Sequence, residues 1–145
     1  MIGNHEWRSE TMKNARILVV DDDRTARMLV VHALEKIGLW ADTAENGEQA
    51  VTLNSERSYE LMIIDYLMPG MNGVEVFRKA SRDRRGLRGI FLTAHANINT
   101  VYPAIEAGVE RVLAKPFDAV ELTRLVTEML NQPPADDATR APTSS

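Results

Sequence analysis

Cysteine is absent from these 145 residues, which excludes disulfide frameworks and thiolate metal sites and suits a reducing compartment. Long apolar runs are absent as well. No stretch could span a bilayer, and the first fifteen residues, with His5, Glu6, Arg8, Glu10 and Lys13, hold no signal-peptide core. A cytoplasmic location without a membrane partner is therefore expected. Positive charge is in short supply: 17 Lys and Arg face 21 Asp and Glu, a formal charge of −4. No stretch reads as a basic recognition helix, so no direct nucleic-acid partner is expected. The histidines His5, His32 and His95 lack metal-ligand spacing and receive no ligand role. What is present, 44% hydrophobic and 26% charged residues, is the profile of one ordinary domain with a sizeable core.

Short apolar runs alternate with helical periodicity along the chain. Arg16 to Val20, Leu39 to Ala44, Leu61 to Asp65, Ile90 to Thr93 and Arg111 to Ala114 read as strands. Between them, apolar residues recur at steps of three and four: Ala26, Leu29, Val30, Ala33, Leu34 and Ile37, closed by Gly38; then Gly47 to Glu56; then Gly73, Val76, Phe77 and Ala80; finally Ala119 to Leu130. Asn46 with Gln49, Asn72 with Glu75, and Asp118 with Glu121 place a cap and its reciprocal acceptor at three helix starts. Five strands alternating with five helices imply an α/β fold, a parallel sheet doubly wound and covered on both faces. The expected domain spans 15–131. Residues 1–14 lack periodicity, and 132–145 are rich in Pro, Ala, Asp, Thr and Ser, so both read as flexible arms of a stand-alone module.

Chemistry-bearing residues collect at the ends of these strands. Asp21, Asp22 and Asp23 follow the first, Asp65 ends the third, Thr93 ends the fourth and Lys115 follows the fifth. In an open parallel sheet these ends converge where ligands bind. Each residue alone has a plainer reading: Asp22 or Asp23 as a helix cap, Thr93 as a β-branched strand residue, Lys115 as a solvated cation, Met68-Pro69-Gly70 as a turn. Their joint arrangement carries the inference. Carboxylates held together repel, so Asp21, Asp22 and Asp65 need a cation or a raised pKa. Magnesium, which takes hard oxygen ligands and keeps several waters, fits best.

V-V-D-D at 19–22, I-I-D-Y-L-M-P-G-M-N-G at 63–73, L-T-A at 92–94 and A-K-P-F at 114–117, in this order, resemble the receiver domain of two-component response regulators. The resemblance covers about residues 15 to 131. It implies the flavodoxin-like strand order 2-1-3-4-5 and a domain that catalyses only its own phosphorylation and slow dephosphorylation. It implies a nucleophile at Asp65, which accepts a phosphoryl group from a histidine kinase or histidine phosphotransfer protein. It further implies Mg2+ held by Asp22, Asp65 and the backbone carbonyl of Leu67, with Asp21 acting through water. Lys115 and Thr93 would complete the phosphate site, with a Lys115-Pro116 bond that is often cis. Phosphorylation would move Thr93 and alter a face made by the fourth helix, fifth strand and fifth helix, which meets a downstream protein.

Some positions depart from the family. The switch position that is commonly aromatic is Val112, which puts aromatic gating of the output face in question, and Tyr102 could substitute sterically. Pro103 falls inside the fourth helix, where proline removes a backbone bond at a cost of about 3 kcal/mol, so that helix is expected to be short, kinked or to begin near Pro103. Leu67 and His95 lie two residues beyond Asp65 and Thr93, and an apolar Leu67 is expected to hinder water and lengthen the phosphoryl lifetime. Arg82, Arg84, Arg85 and Arg88 read as a solvated connection. Two rivals remain: a phosphorylation-independent scaffold, and a haloacid-dehalogenase-like phosphatase in which Asp21-Asp22-Asp23-Arg24-Thr25 matches D-x-D-x-T, with Asp21 as nucleophile and Asp23 as general acid.

Overall fold

The computed structural model describes residues 15–84, 86–94 and 103–131. Its strands are β1 Ile17–Val20, β2 Ala41–Ala44, β3 Leu61–Asp65, β4 Arg88–Thr93 and β5 Arg111–Ala114, all parallel, in the order β2-β1-β3-β4-β5. The helices are α1 Arg24–Lys36, α2 Gly47–Glu56, α3 Gly73–Asp83, helical residues 103–106 (α4) and α5 Ala119–Asn131. The expected fold class and strand order are both found. The two arms, Arg85, His95 and Tyr102 lie outside the described residues, as does any helix preceding Pro103.

The central strands are apolar at nearly every position because both faces are covered, and successive side chains serve opposite layers. Leu18, Val20, Met62, Ile64 and Phe91 pack with Ala50, Val76, Phe77 and Ala80 of α2 and α3. Ile17, Val19, Ile63, Ile90 and Leu92 pack with Val30 and Leu34 of α1 and with Leu122, Val126 and Met129 of α5.

All three expected cap residues accept an amide of the following turn, but the reciprocal bond forms as expected at only one of the three starts. Asp118 and Glu121 form the full reciprocal pair at 2.8 and 3.3 Å. Asn46 accepts the Gln49 amide at 2.8 Å, but the Gln49 side chain returns to the amide of Glu45, one residue earlier. Asn72 accepts the Glu75 amide at 3.0 Å, and Asp23 caps α1 by accepting from Ala26 at 3.2 Å.

Strand boundaries moved where packing overrode composition. Leu39 is buried and Trp40 is exposed, yet both precede the ladder of β2. β4 begins two residues earlier than expected because Arg88 and Gly89 are inside it. Gly89 lies under the Phe77 ring, where an added Cβ would stand 2.6 Å from Cε1.

The arginine-rich connection is a correction. Arg84 is half-buried and donates Nε to the Tyr59 carbonyl at 2.6 Å. Arg88 is 8% exposed; its Nε and Nη2 each reach Glu110 at 2.8 Å, and Nη1 donates to the Met129 carbonyl. A guanidinium with a bidentate partner can enter a core that a lone charge cannot. Arg88→Leu should therefore lower the urea-unfolding free energy by about 3 kcal/mol, since it leaves Glu110 and a helix-end carbonyl without their donor. Glu110→Gln, which keeps an acceptor, should cost less in the same titration.

Candidate functional site

The chain runs from β1 to β2 on one side and then crosses back to β3 on the other side of β1, so a cleft opens at the carboxyl ends of β1 and β3. Asp21 follows β1 directly and continues its ladder by donating its amide to the Ala44 carbonyl at 3.2 Å. Asp65 is the last residue of β3. Asp21, Asp22 and Asp65 each offer an oxygen, and these oxygens lie within 4.8 Å of one another. Lys115 Nζ sits 3.3 Å from Asp65 Oδ1 and 3.4 Å from Asp21 Oδ2. The Lys115-Pro116 bond is cis.

Asp21 and Asp65 are buried, whereas Asp22 is exposed. Burial, then the neighbouring Asp21 charge, raises the Asp65 pKa above its ordinary 3.8, and Lys115 only partly offsets them. Burial alone would lower the Lys115 pKa, but Asp21 and Asp65 together outweigh it and raise it. A raised carboxylate pKa means that the folded protein holds this proton more tightly than the unfolded chain. Asp65 therefore contributes stability that is full below pH 3.8 and is lost as pH rises through its higher folded pKa. Wild type should therefore lose unfolding free energy relative to Asp65→Asn as pH rises across that window, so that the variant is the more stable above it, as read by urea titrations at several pH values.

The donor set suits Mg2+: hard carboxylate oxygens, one of them on an exposed residue that leaves room for retained waters. The loop from Tyr66 to Asn72 carries Leu67 and returns tightly to β3. Gly73 donates its amide to the Tyr66 carbonyl at 3.0 Å, and an added Cβ there would stand 2.9 Å from the Asp65 carbonyl oxygen. Only glycine lets α3 start this close to the carboxylate-bearing peptide. The Leu67 side chain is exposed.

Thr93 is buried at the end of β4, one residue past the Asp65–Leu92 register pair, and its carbonyl accepts the Lys115 amide at 2.7 Å. Val112 is half-buried against the cluster that contains Phe91 and Ala104. The fold thus brings Asp21, Asp22, Asp65, Thr93 and Lys115 to one sheet edge.

Sequence reasoning missed Arg27. Its Nη1 donates to the Asp21 main-chain carbonyl at 2.8 Å. Its place between the apolar positions Ala26 and Val30 made it read as an ordinary helix residue; only its position on the first turn after three aspartates hinted otherwise.

A family model described as the response regulator receiver domain matches residues 17–127. The chain is 31% identical over 119 residues to sporulation initiation phosphotransferase F of Bacillus subtilis, covering 82% of this chain and 96% of that protein. It is 35% identical over 117 residues to transcriptional regulatory protein ResD of Bacillus subtilis, covering 81% of this chain; it spans about half of that longer relative, 48%. Among solved structures, a CheY-like receiver domain protein from Methanospirillum hungatei superposes with a TM-score of 0.77 at 26% identity, over 81% of this chain and 94% of that one. TrrA of Thermotoga maritima, solved in complex with Mg(2+)-BeF, superposes with a TM-score of 0.72 at 34% identity, over 79% and 98%.

Proposed function

The chain belongs to the response regulator receiver-domain family, and on that premise we propose that Asp65 accepts a phosphoryl group from the phosphohistidine of a histidine kinase or phosphotransfer protein. The observation that carries this reading is Asp65 itself: a buried carboxylate at the end of β3, 3.3 Å from Lys115 and grouped with Asp21 and Asp22.

An Asp65 carboxylate oxygen forms the new bond to phosphorus while the bond from phosphorus to the imidazole nitrogen breaks, and the imidazole keeps that electron pair. Lys115 holds positive charge beside the oxygen that reacts and meets the charge on the phosphoryl oxygens. The Thr93 hydroxyl supplies a further donor. Asp22, Asp65 and the Leu67 carbonyl would ligate Mg2+ directly, with Asp21 holding it through water. When bound, Mg2+ supplies charge that offsets the transferring phosphoryl group. Return to the starting state is hydrolysis of the acyl phosphate by water, and the apolar Leu67 hinders that water.

Output then passes through Thr93 and Val112 to the α4, β5 and α5 face, where Ile105 and Val120 stand 60% and 62% exposed and offer a downstream protein apolar contact. A half-buried valine at 112 argues for a shift of aliphatic packing rather than the swing of an aromatic ring. Neither nucleic acid nor a membrane is a direct partner in this reading, and a cytoplasmic setting suits it. Among the described residues no helix is long and apolar enough to cross a membrane.

The phosphatase alternative loses weight at Asp21. That residue is 1% exposed, and its two carboxylate oxygens already face the Asp23 amide and Lys115, an arrangement that suits a fixed support better than a nucleophile. The deciding experiment is intact mass after incubation with phosphoramidate, with and without Mg2+. One Mg2+-dependent phosphoryl group, released by neutral hydroxylamine, supports the acyl phosphate. Rapid phosphate release without an adduct, abolished by Asp21→Asn, would instead establish the phosphatase. Neither adduct nor release would leave the scaffold.

A further inference from the structure

Asp21 is held on every side by bonds of this chain. Its amide donates to Ala44, Oδ1 accepts the Asp23 amide at 2.9 Å, Oδ2 faces Lys115, and its main-chain carbonyl accepts from Arg27 Nη1 at 2.8 Å. The last of these differs in kind. A carbonyl oxygen and the following amide share one rigid plane, so fixing the Asp21 oxygen fixes the orientation of the peptide that leads into Asp22. Asp22 itself has no hydrogen bond among the described residues, is exposed, and sits between Asp21 and the cap residue Asp23. Its placement therefore depends on its backbone.

We propose that Arg27 is a positioning residue for the acidic site: by clamping the Asp21–Asp22 peptide from the first turns of α1, it holds the Asp22 carboxylate where a divalent cation can use it. This inference rests on the Mg2+-dependent reading above and adds to it a side chain that touches neither the cation nor the phosphoryl group. A half-buried guanidinium suits the task. Its planar fork is already organised for hydrogen bonding, so less freedom is lost when the bond forms. The clamp also closes onto a backbone that is held elsewhere, since Arg27 N donates to the Asp23 carbonyl at 3.0 Å.

Charge alone predicts the opposite effect. A cation beside a metal site repels the metal, so deleting Arg27 should tighten divalent binding if its charge is what matters. Deleting it should weaken binding if its grip on the peptide is what matters. The sign of the change separates the two, and a role confined to stabilising α1 would move neither.

The test is calorimetric titration of Mg2+ alone, without phosphodonor, into wild type, Arg27→Met and Arg27→Lys, beside urea unfolding of each. Arg27→Met should raise the Mg2+ dissociation constant about tenfold, the lower end of what loss of a ligand-supporting partner does. Arg27→Lys, which keeps a donor of similar reach, should recover part of that loss. Unchanged or tighter Mg2+ binding by folded Arg27→Met overturns the proposal. If that variant does not fold, Arg27→Gln, polar but too short to reach the carbonyl, gives the same reading by the same sign. Failure of the underlying function looks different: wild type itself would take up no Mg2+, and both readings would fall together.

Discussion

Asp65→Asn should take up no phosphoryl group from phosphoramidate and Mg2+, and it should unfold at a higher temperature than wild type. The first half follows from nucleophilicity, because an amide oxygen has the shape of a carboxylate oxygen without its charge. The second follows from the site's electrostatics. Burial and the Asp21 charge already disfavour the ionised form of Asp65, so a neutral isostere relieves a cost that the folded state otherwise carries at neutral pH. The amide oxygen can still accept from Lys115, so the local contact survives. Loss of function with gain of stability is the signature of a residue kept for chemistry rather than for packing. Intact mass reads one half and thermal unfolding the other. A full adduct on the variant would move the nucleophile to another carboxylate.

Lys115→Met should slow phosphorylation by about 10²–10³-fold at saturating Mg2+, the range seen when one preorganised group that meets developing charge is removed. Its second effect has the opposite sign to that of Asp65→Asn. Lys115 lies between two buried carboxylates at 3.3 and 3.4 Å, and removing it takes the ion-pair partner from both Asp21 and Asp65. Stability should fall. The Asp65 pKa should rise further, because Lys115 is what partly lowers it now. The phosphorylation rate measured by mass against pH should therefore drop at a higher pH than in wild type. A rate within threefold of wild type would remove Lys115 from the reacting group.

Asp118 and Glu121 formed the reciprocal cap expected of them because both partners belong to one helical turn. Leu61–Asp65 and Arg111–Ala114 came out at the expected bounds. Arg88 was misread because a charged side chain next to Gly89 looks like a loop until Glu110 and the Met129 carbonyl arrive from 22 and 41 residues away. Arg27 was overlooked for a related reason. Its partner is a main-chain atom, and a main-chain carbonyl carries no residue-specific signal in a sequence.

The sequence by itself determined the alternation of strands and helices, the caps that start the helices, and the presence of acidic, hydroxyl and basic groups at strand ends. These depend on side-chain period and on neighbours within a few residues, where backbone geometry leaves little choice. Tertiary structure decided which of those ends meet. Placing β1 beside β3, and β5 at the far side of β4, sets Lys115 between Asp21 and Asp65 across separations of 94 and 50 residues. It also decided which charges are buried and hence the direction of each pKa shift, because desolvation and Coulomb interaction depend on distances through the fold and not on distances along the chain.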